Sequence, residues 1–213
     1  MSSEVAKRAG RPSDVAKHDA IIAAASRAFF DDGYAASSIE QIAARAGVSK
    51  VTIYNNFGDK RSLFAAAVEH ECEKMRCTFR VPTMPQASLR DRLTTIGEAV
   101  SAFLSRPEMV RFERRVAAET EQDPALGAAF LKAGPHRMKQ AFTALLAALD
   151  AAGEIRVPDA ELAAEQFVAM CKGMGDLERR FGAAHDAARD RARIEGAVEV
   201  FCRAYSVDDC DRK

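Results

Sequence analysis

The amino-acid sequence predicts an all-α fold, with a small N-terminal helix-turn-helix unit of three helices followed by a larger C-terminal helical domain. Three observations carry that prediction. Glycine and proline are sparse, at 12 and 7 of 213 residues, while 48% of the residues are hydrophobic, enough to furnish a core in a chain of this length. Ala, Leu, Glu, Arg and Met recur at helical spacing, and no segment alternates apolar and polar residues as a half-buried strand does. Pro107, Pro124, Pro135 and Pro158 fall where helix starts are expected, because proline fits the first helical turn.

Residues 1–13, MSSEVAKRAGRPS, lack apolar periodicity and hold Lys7, Arg8 and Arg11. They predict a flexible basic arm. A helix is expected from Asp14 to Asp32 with Val15, Ile21, Ile22, Ala25, Ala28 and Phe29 on its apolar face, ended by Gly33. Ser38, with Gln41 three residues on, forms a capping box for a short helix ending near Ala46. Gly47-Val48-Ser49 makes a tight turn, and Ser49 caps a third helix through Asn56. Asp59 caps a long fourth helix from Lys60 to about Thr78.

The two-proline stretch VPTMPQ, residues 81–86, reads as a hinge. Helices are expected beyond it near 87–104, 107–121, 124–132, 135–152, 158–180 and 186–206. The division is therefore a basic arm (1–13), a helix-turn-helix domain (14–60), a larger helical domain (61–206) and a frayed tail (207–213).

The span GVSKVTIYNNF, residues 47–57, carries the chemistry. A helix-turn-helix needs a small residue where its helices cross, and Ala43 supplies it. It needs a turn residue free to take positive φ, which Gly47 supplies. Ile39, Ile42, Val48 and Ile53 seal the pair. The second helix must then present polar side chains near its N-terminus to base edges. Lys50 is suited to guanine, Asn55 to adenine, and Val51 and Thr52 to a thymine methyl. Tyr54 and Lys60 suit phosphate, as do Ser37, Ser38 and the free amides at that helix start. The bland alternative is that these residues are only the exposed face of a short helix pair.

Charge neither requires nor excludes a nucleic-acid partner. The 31 Lys and Arg balance 31 Asp and Glu, and residues 1–61 hold nine basic and seven acidic side chains. Cys72, Cys77, Cys171, Cys202 and Cys210 make no C-x-x-C pair and no zinc spacing, so they read as reduced thiols and no metal or cofactor is expected. The polar start and the lack of an apolar run of ~18 residues predict a cytoplasmic protein without signal peptide or membrane span. No H-E-x-x-H, G-x-S-x-G or phosphate loop appears, which argues against an enzyme. His70 and Cys72 point about 200° apart on a helix and so do not share a metal.

In order, IIAAASRAFFDDGY, SSIEQIAARAGVSKVTIYNNF and DKRSLF make residues 16–64 similar to the DNA-binding domain of the TetR-type regulators. The combination is the Phe29/Gly33/Tyr34 helix exit, the small-residue turn, Tyr54 and Phe57, and Lys60 ahead of Leu63. The resemblance implies a dimeric, ligand-responsive transcription factor, usually a repressor, that binds double-stranded operator DNA. It implies that Lys50 to Asn55 form the recognition helix and that Lys60 opens the helix coupling the two domains. The later text, from RPEMVRFERR to the GEIRVPDAELAAEQFVAMCKG stretch, resembles the C-terminal domain of the AefR-like and AcrR-like branches. It departs from them at Arg114 and Arg115, where aromatic or leucine-rich text is usual.

The resemblance also implies an apolar cavity among the middle helices for a small-molecule effector. Phe103, Met109, Phe112, Phe130, Met138, Phe142, Met170 and Met174 are the candidate lining, with His136 and Cys171 as polarisable candidates nearby. A Met or Phe at helical spacing is core more often than pocket. The last two helices should pair with their copies in a four-helix bundle, through Leu162, Phe167, Val168, Leu177, Ile194, Val198 and Phe201. Burial inside one chain is the alternative for these. Two rival readings are a helical ligand-binding protein without specific DNA binding, and a thiol sensor using Cys72, Cys77 or Cys171.

Overall fold

The computed structural model describes residues 14–79 and 87–207, apart from the side chains of 74–79. The expected basic arm, the hinge at 81–86 and the tail beyond Val207 lie outside the described residues. The helices in chain order are α1 (Asp14–Asp31), α2 (Ile39–Ala46), α3 (Lys50–Phe57), α4 (Lys60–Phe79), α5 (Leu89–Leu104), α6 (Pro107–Thr120), α7 (Pro124–Ala133), α8 (Pro135–Ala151), α9 (Ala160–Arg180) and α10 (Ala187–Tyr205). Among the described residues the only extended pairing is an isolated antiparallel bridge, Ile155 with Ser206.

Local chemistry sets most helix ends. Ser38 Oγ accepts from Gln41 N (3.1 Å) while Ser38 N donates to Gln41 Oε1 (3.2 Å), the reciprocal cap that opens α2. Asp59 Oδ1 accepts from Ser62 N (2.6 Å) at the start of α4. Asp159, not Pro158, caps α9, accepting from Leu162 N (2.9 Å), so that helix starts at Ala160. Val15, expected on the apolar face of α1, instead lies in its exposed first turn.

Two apolar clusters form. The first joins α1–α4 to α6 and α7, with Phe29, Phe64, Ile42, Ile53, Phe112 and Leu126 at its centre. The second joins α5 to α8, α9 and α10 around Phe142, Phe167, Ile96, Ile194, Val198 and Phe201. Helix α6 packs most on α7 and next on α1, and so joins the later helices to the first helix of the chain.

Helix α9 is expected to run unbroken but kinks at Gly173, where φ is 47°. A side chain is disfavoured there by that φ, and a Cβ would also stand 3.1 Å from Arg193 Cδ. A buried ionic cluster sits beside the kink. Asp190 accepts from Arg193 Nη1 (2.6 Å) and Arg179 Nη1 (2.9 Å), and lies 3.1 Å from His185 Nε2 and 3.3 Å from Ser101 Oγ. Burial works against its charge, yet Arg179, together with hydrogen bonds from Arg193, Arg179 and His185, holds the carboxyl below its ordinary value. The cluster ties the α9–α10 pair to α5.

Candidate nucleic-acid interface and effector cavity

The α2–turn–α3 geometry is built from short-range rules. Gly47 takes φ 66°, closing α2, and Val48 N returns to Ala43 O (3.0 Å). Ser49 Oγ accepts from Thr52 N (3.1 Å) and opens α3. Ile39, Ile42, Ala43 and Ile53 are buried and Val48 is partly buried against them. One helical face is thereby fixed inward, which leaves Lys50, Val51, Tyr54 and Asn55 on the other, exposed one. Val51 is 65% exposed on that face. Thr52 is half-buried, with its hydroxyl 2.9 Å from Ser49 Oγ. The Lys50 ammonium pairs with Glu40 of α2 and lies 5.7 Å from the Tyr54 ring centre. Glu40 was not legible as a partner because the pairing crosses the turn.

Two expected phosphate contacts are placed differently. Ser37 is buried and its hydroxyl donates to Gly33 O (2.6 Å), so the side chain closes the α1–α2 connection instead of facing outward. Ser38 spends its hydroxyl on the cap but stands at the accessible start of α2. Lys60 is half-buried with Nζ 4.4 Å from the centre of the Tyr34 ring. Burial pushes its pKa down, opposed by the charge of Glu119. An aromatic face that attracts cations has drawn the ammonium inward.

A cavity of about 430 Å³ lies among α4 to α9, and Phe30 of α1, the first helix of the N-terminal reading head (α1–α3), reaches its wall. Six of the eight expected lining residues do line it: Phe103, Met109, Phe112, Phe130, Met138 and Phe142. Met170 and Met174 do not. Val168, Ala169 and Lys172 are the α9 residues facing the cavity there, and at about 100° per residue Met170 turns away from that face into the second cluster. Met174 follows the Gly173 kink and is 60% exposed. His136 is exposed and off the wall. The wall also includes residues that the spacing did not single out, among them Phe30 of α1, Val68 and Cys72 of α4, and Glu113 of α6.

Helix α6 connects this wall to the head. Phe112 stacks on Phe30, with ring centres 3.9 Å apart and planes 7° apart. Arg115 donates to Phe30 O (3.4 Å) and to Asp31 O, Ala35 N donates to Glu119 Oε2 (3.0 Å), and Arg61 pairs with Asp123 just past α6 (2.8 Å). Arg115, the departure from the usual family text, is thus a clamp on the last carbonyls of α1.

Cys72 and Cys171 do not fit a sensor. Burial pushes the Cys72 thiol up to about 11 and the Cys171 thiol up to about 12, so neither supplies the thiolate such a role needs near neutral pH. The Cys77 side chain lies outside the described ones. Among the described residues no three His, Cys, Asp or Glu are grouped to hold a metal, and no helix is long and apolar enough to cross a membrane.

Of the expected dimer residues, Phe167, Ile194, Val198 and Phe201 are buried in the chain's own second cluster, and Val168 lines the cavity. They face inward because α5 and α8 pack on that side of the α9–α10 pair. Leu162 and Leu177 remain exposed, joined by Met174, Val200 and Phe181, the last 84% exposed.

The comparisons with known proteins agree with this arrangement. Residues 21–67 match the model of the bacterial regulatory proteins of the tetR family, and residues 91–207 match that of the AefR-like transcriptional repressor C-terminal domain. A TetR-family transcriptional regulator structure from Mesorhizobium loti is 28% identical, with TM-score 0.77, over 92% of this chain and 100% of that one. The structure of the flavonoid-responsive regulator FrrA is 29% identical, with TM-score 0.71, over 90% of this chain and 97% of that one. The HTH-type transcriptional activator FasR of Mycolicibacterium smegmatis is 33% identical over 39% of this chain and 38% of its own length. The transcriptional regulator YdeS of Bacillus subtilis is 33% identical over 46% of this chain and 48% of its own. This chain thus spans less than half the length of these two curated relatives.

Proposed function

The chain belongs to the TetR family of bacterial transcriptional regulators, and from that premise we propose that it is a homodimeric repressor which binds a palindromic operator and leaves it when a small, largely apolar effector fills the cavity. The family and the relatives mark it as a transcriptional regulator. The observation that carries the proposal is that the cavity wall contains Phe30, a residue of the reading head itself. An occupant that moves Phe112 moves the head through a direct contact.

Lys50, Val51, Thr52 and Asn55 take the base edges in this reading, with Tyr54 and the start of α2 at Ser38 on the phosphates. The exposed apolar face of α9 and α10, at Leu162, Met174, Leu177, Phe181 and Val200, packs against its copy in a four-helix bundle. Two heads related by a two-fold axis then meet half-sites about 34–36 Å apart or a multiple of that. The effector favours a form in which α4 and α6 hold the heads at another spacing. The likeness to a regulator named flavonoid-responsive supports an aromatic effector.

Fluorescence anisotropy tests the proposal. The purified protein is titrated into the DNA upstream of its own gene and into an unrelated duplex of equal length at the same salt. Tight, two-fold-symmetric binding to the first alone is expected. Equal, weak binding to both there and to every other duplex from its genomic neighbourhood would instead favour a ligand-binding protein without specific DNA binding.

A further inference from the structure

The cavity has a chemistry that narrows what can occupy it. This inference rests on the reading of the cavity as the effector site. Phe30, Phe103, Phe112, Phe130 and Phe142 supply five aromatic rings to its wall. Phe30 and Phe112 lie parallel, while Phe130 meets Phe112 edge-on at 71°. Rings so arranged offer both face and edge to a flat guest. The volume, about 430 Å³, lies toward the lower end of the ~300–1,000 Å³ usual for small-molecule pockets, which suits one compact molecule.

The charged groups on the wall discriminate further. Lys139 is held by Glu161 (2.6 Å) and Glu165 (2.9 Å), and Lys172 by Asp176 (3.1 Å). A carboxylate guest would have to displace those carboxylates and would meet Glu113 and Glu165 as like charges. Glu113 differs from the lysines in what it has left to offer. Its side chain is only 14% exposed and Oε2 lies 3.0 Å from Arg180 Nη2. An ionised carboxylate accepts about four hydrogen bonds and donates none, so pairing with one guanidinium leaves acceptor capacity on this residue of the wall. Burial pushes the Glu113 carboxyl up, with Arg180 opposing. A donor arriving from inside the cavity would stabilise the charge that burial penalises.

We propose that the effector is a flat aromatic molecule bearing a neutral hydroxyl or N–H donor, that its rings pack among the phenylalanines, and that Glu113 accepts the donor. Glu113 follows Phe112 directly in α6, so the guest's polar end is held by the same helix turn that stacks on Phe30.

The test is calorimetric titration of the full-length protein with four naphthalenes that share one planar ring system and differ in one group: 2-naphthol, 2-methoxynaphthalene, 2-naphthoate and 2-naphthylmethylammonium. The hydroxyl compound should bind about 10–100-fold tighter than the ether or the carboxylate, the usual worth of a hydrogen bond to a charged acceptor. Glu113→Leu should shrink the hydroxyl advantage over the ether to under about threefold while ether affinity holds, and Glu113→Gln should keep part of it. Tightest binding by the carboxylate or the ammonium compound overturns the proposal. So does a hydroxyl advantage that survives in Glu113→Leu. The ranking on the unmodified protein needs no variant to fold. Val168→Phe, which fills the cavity, separates the two readings. If it weakens all four compounds, the cavity is their site, and a wrong ranking sinks only the ligand class. If it changes nothing, or if none of the four binds the unmodified protein, the cavity reading and the ligand class both fall.

Discussion

Phe30 and Phe112 lie face to face, ring centres 3.9 Å apart and planes 7° apart, one on the first helix of the reading head and the other on the wall of the cavity. Both rings are buried. Such a pair contributes about 0.5–1.5 kcal/mol beyond the area it buries. Urea unfolding of Phe30→Leu, Phe112→Leu and the double variant should therefore give a coupling energy of about 1 kcal/mol. Strict additivity would mean that the stacking is geometric only and that the joint transmits nothing specific.

Arg115 makes a second, polar joint to the same helix end. Its guanidinium caps Phe30 O and Asp31 O while Glu119 receives Ala35 N. Arg115→Ala should cost about 1.5–3 kcal/mol, the range for hydrogen bonds to a charged donor. Amide exchange should quicken at residues 31–36 more than in α2 or α3. A uniform rise in exchange across the head would show that the loss is global and that no clamp exists.

The Asp190 cluster makes a prediction with a defined pH window. The folded-state carboxyl is held below its ordinary value, so its contribution is present above the unfolded pKa of about 3.9 and disappears as pH falls through the lower folded value. Asp190→Asn should be clearly less stable than the unmodified chain at pH 7, and the two should converge only below about pH 4. Gly175→Ala probes the same cluster, since a Cβ there would stand 2.3 Å from Arg193 Nη1 and 3.1 Å from Asp190 Oδ1. It should cost about 1–3 kcal/mol by prising Arg193 away. Gly196, where a Cβ meets nothing within 4 Å in one chain, should accept alanine without loss in the isolated protomer. Thermal melts across pH check all three.

The sequence was most informative where structure is decided within a few residues. The Ser38/Gln41 box, the Gly47 turn, the Ser49 and Asp59 caps and the proline starts of α6, α7 and α8 depend on neighbours three or four positions away. Ile39, Ile42 and Ile53 could be placed inward because helical spacing fixes one face. The misplacements have a different origin. Ser37 and Lys60 turn inward because of Gly33 O and the Tyr34 ring, which only the folded α1–α2 corner brings near. Phe167, Ile194, Val198 and Phe201 have the spacing of an interface, but α5 and α8 cover them. Met170 and Met174 missed the cavity by helix rotation and by the Gly173 kink. The α6 contribution, Phe112 on Phe30 and Arg115 on the α1 carbonyls, joins positions more than 80 residues apart, and no local pattern announces it.

That distinction changes what salt titrations should show. A lysine on phosphate contributes about 0.9 to the slope of log K against log salt on duplex DNA. The resemblance implies that Lys60 opens the coupling helix, and its residue type suits phosphate, yet its ammonium sits over Tyr34 and not on the face shared by Lys50 and Asn55. Lys60→Ala should then lower stability while leaving the salt slope nearly unchanged. Lys50→Ala should relax preference at one base pair per half-site and cost about 1–3 kcal/mol for the lost base contact. Glu40→Gln should act in the opposite direction, because it frees Lys50 from its ion pair and removes a negative charge from the DNA-facing side, tightening binding to every duplex. The check is anisotropy at several salt concentrations on the operator, a single-base-pair scan of it and an unrelated duplex. A full unit of slope lost with Lys60→Ala would place that lysine on phosphate in the complex, and would show that the head turns Lys60 outward when it docks.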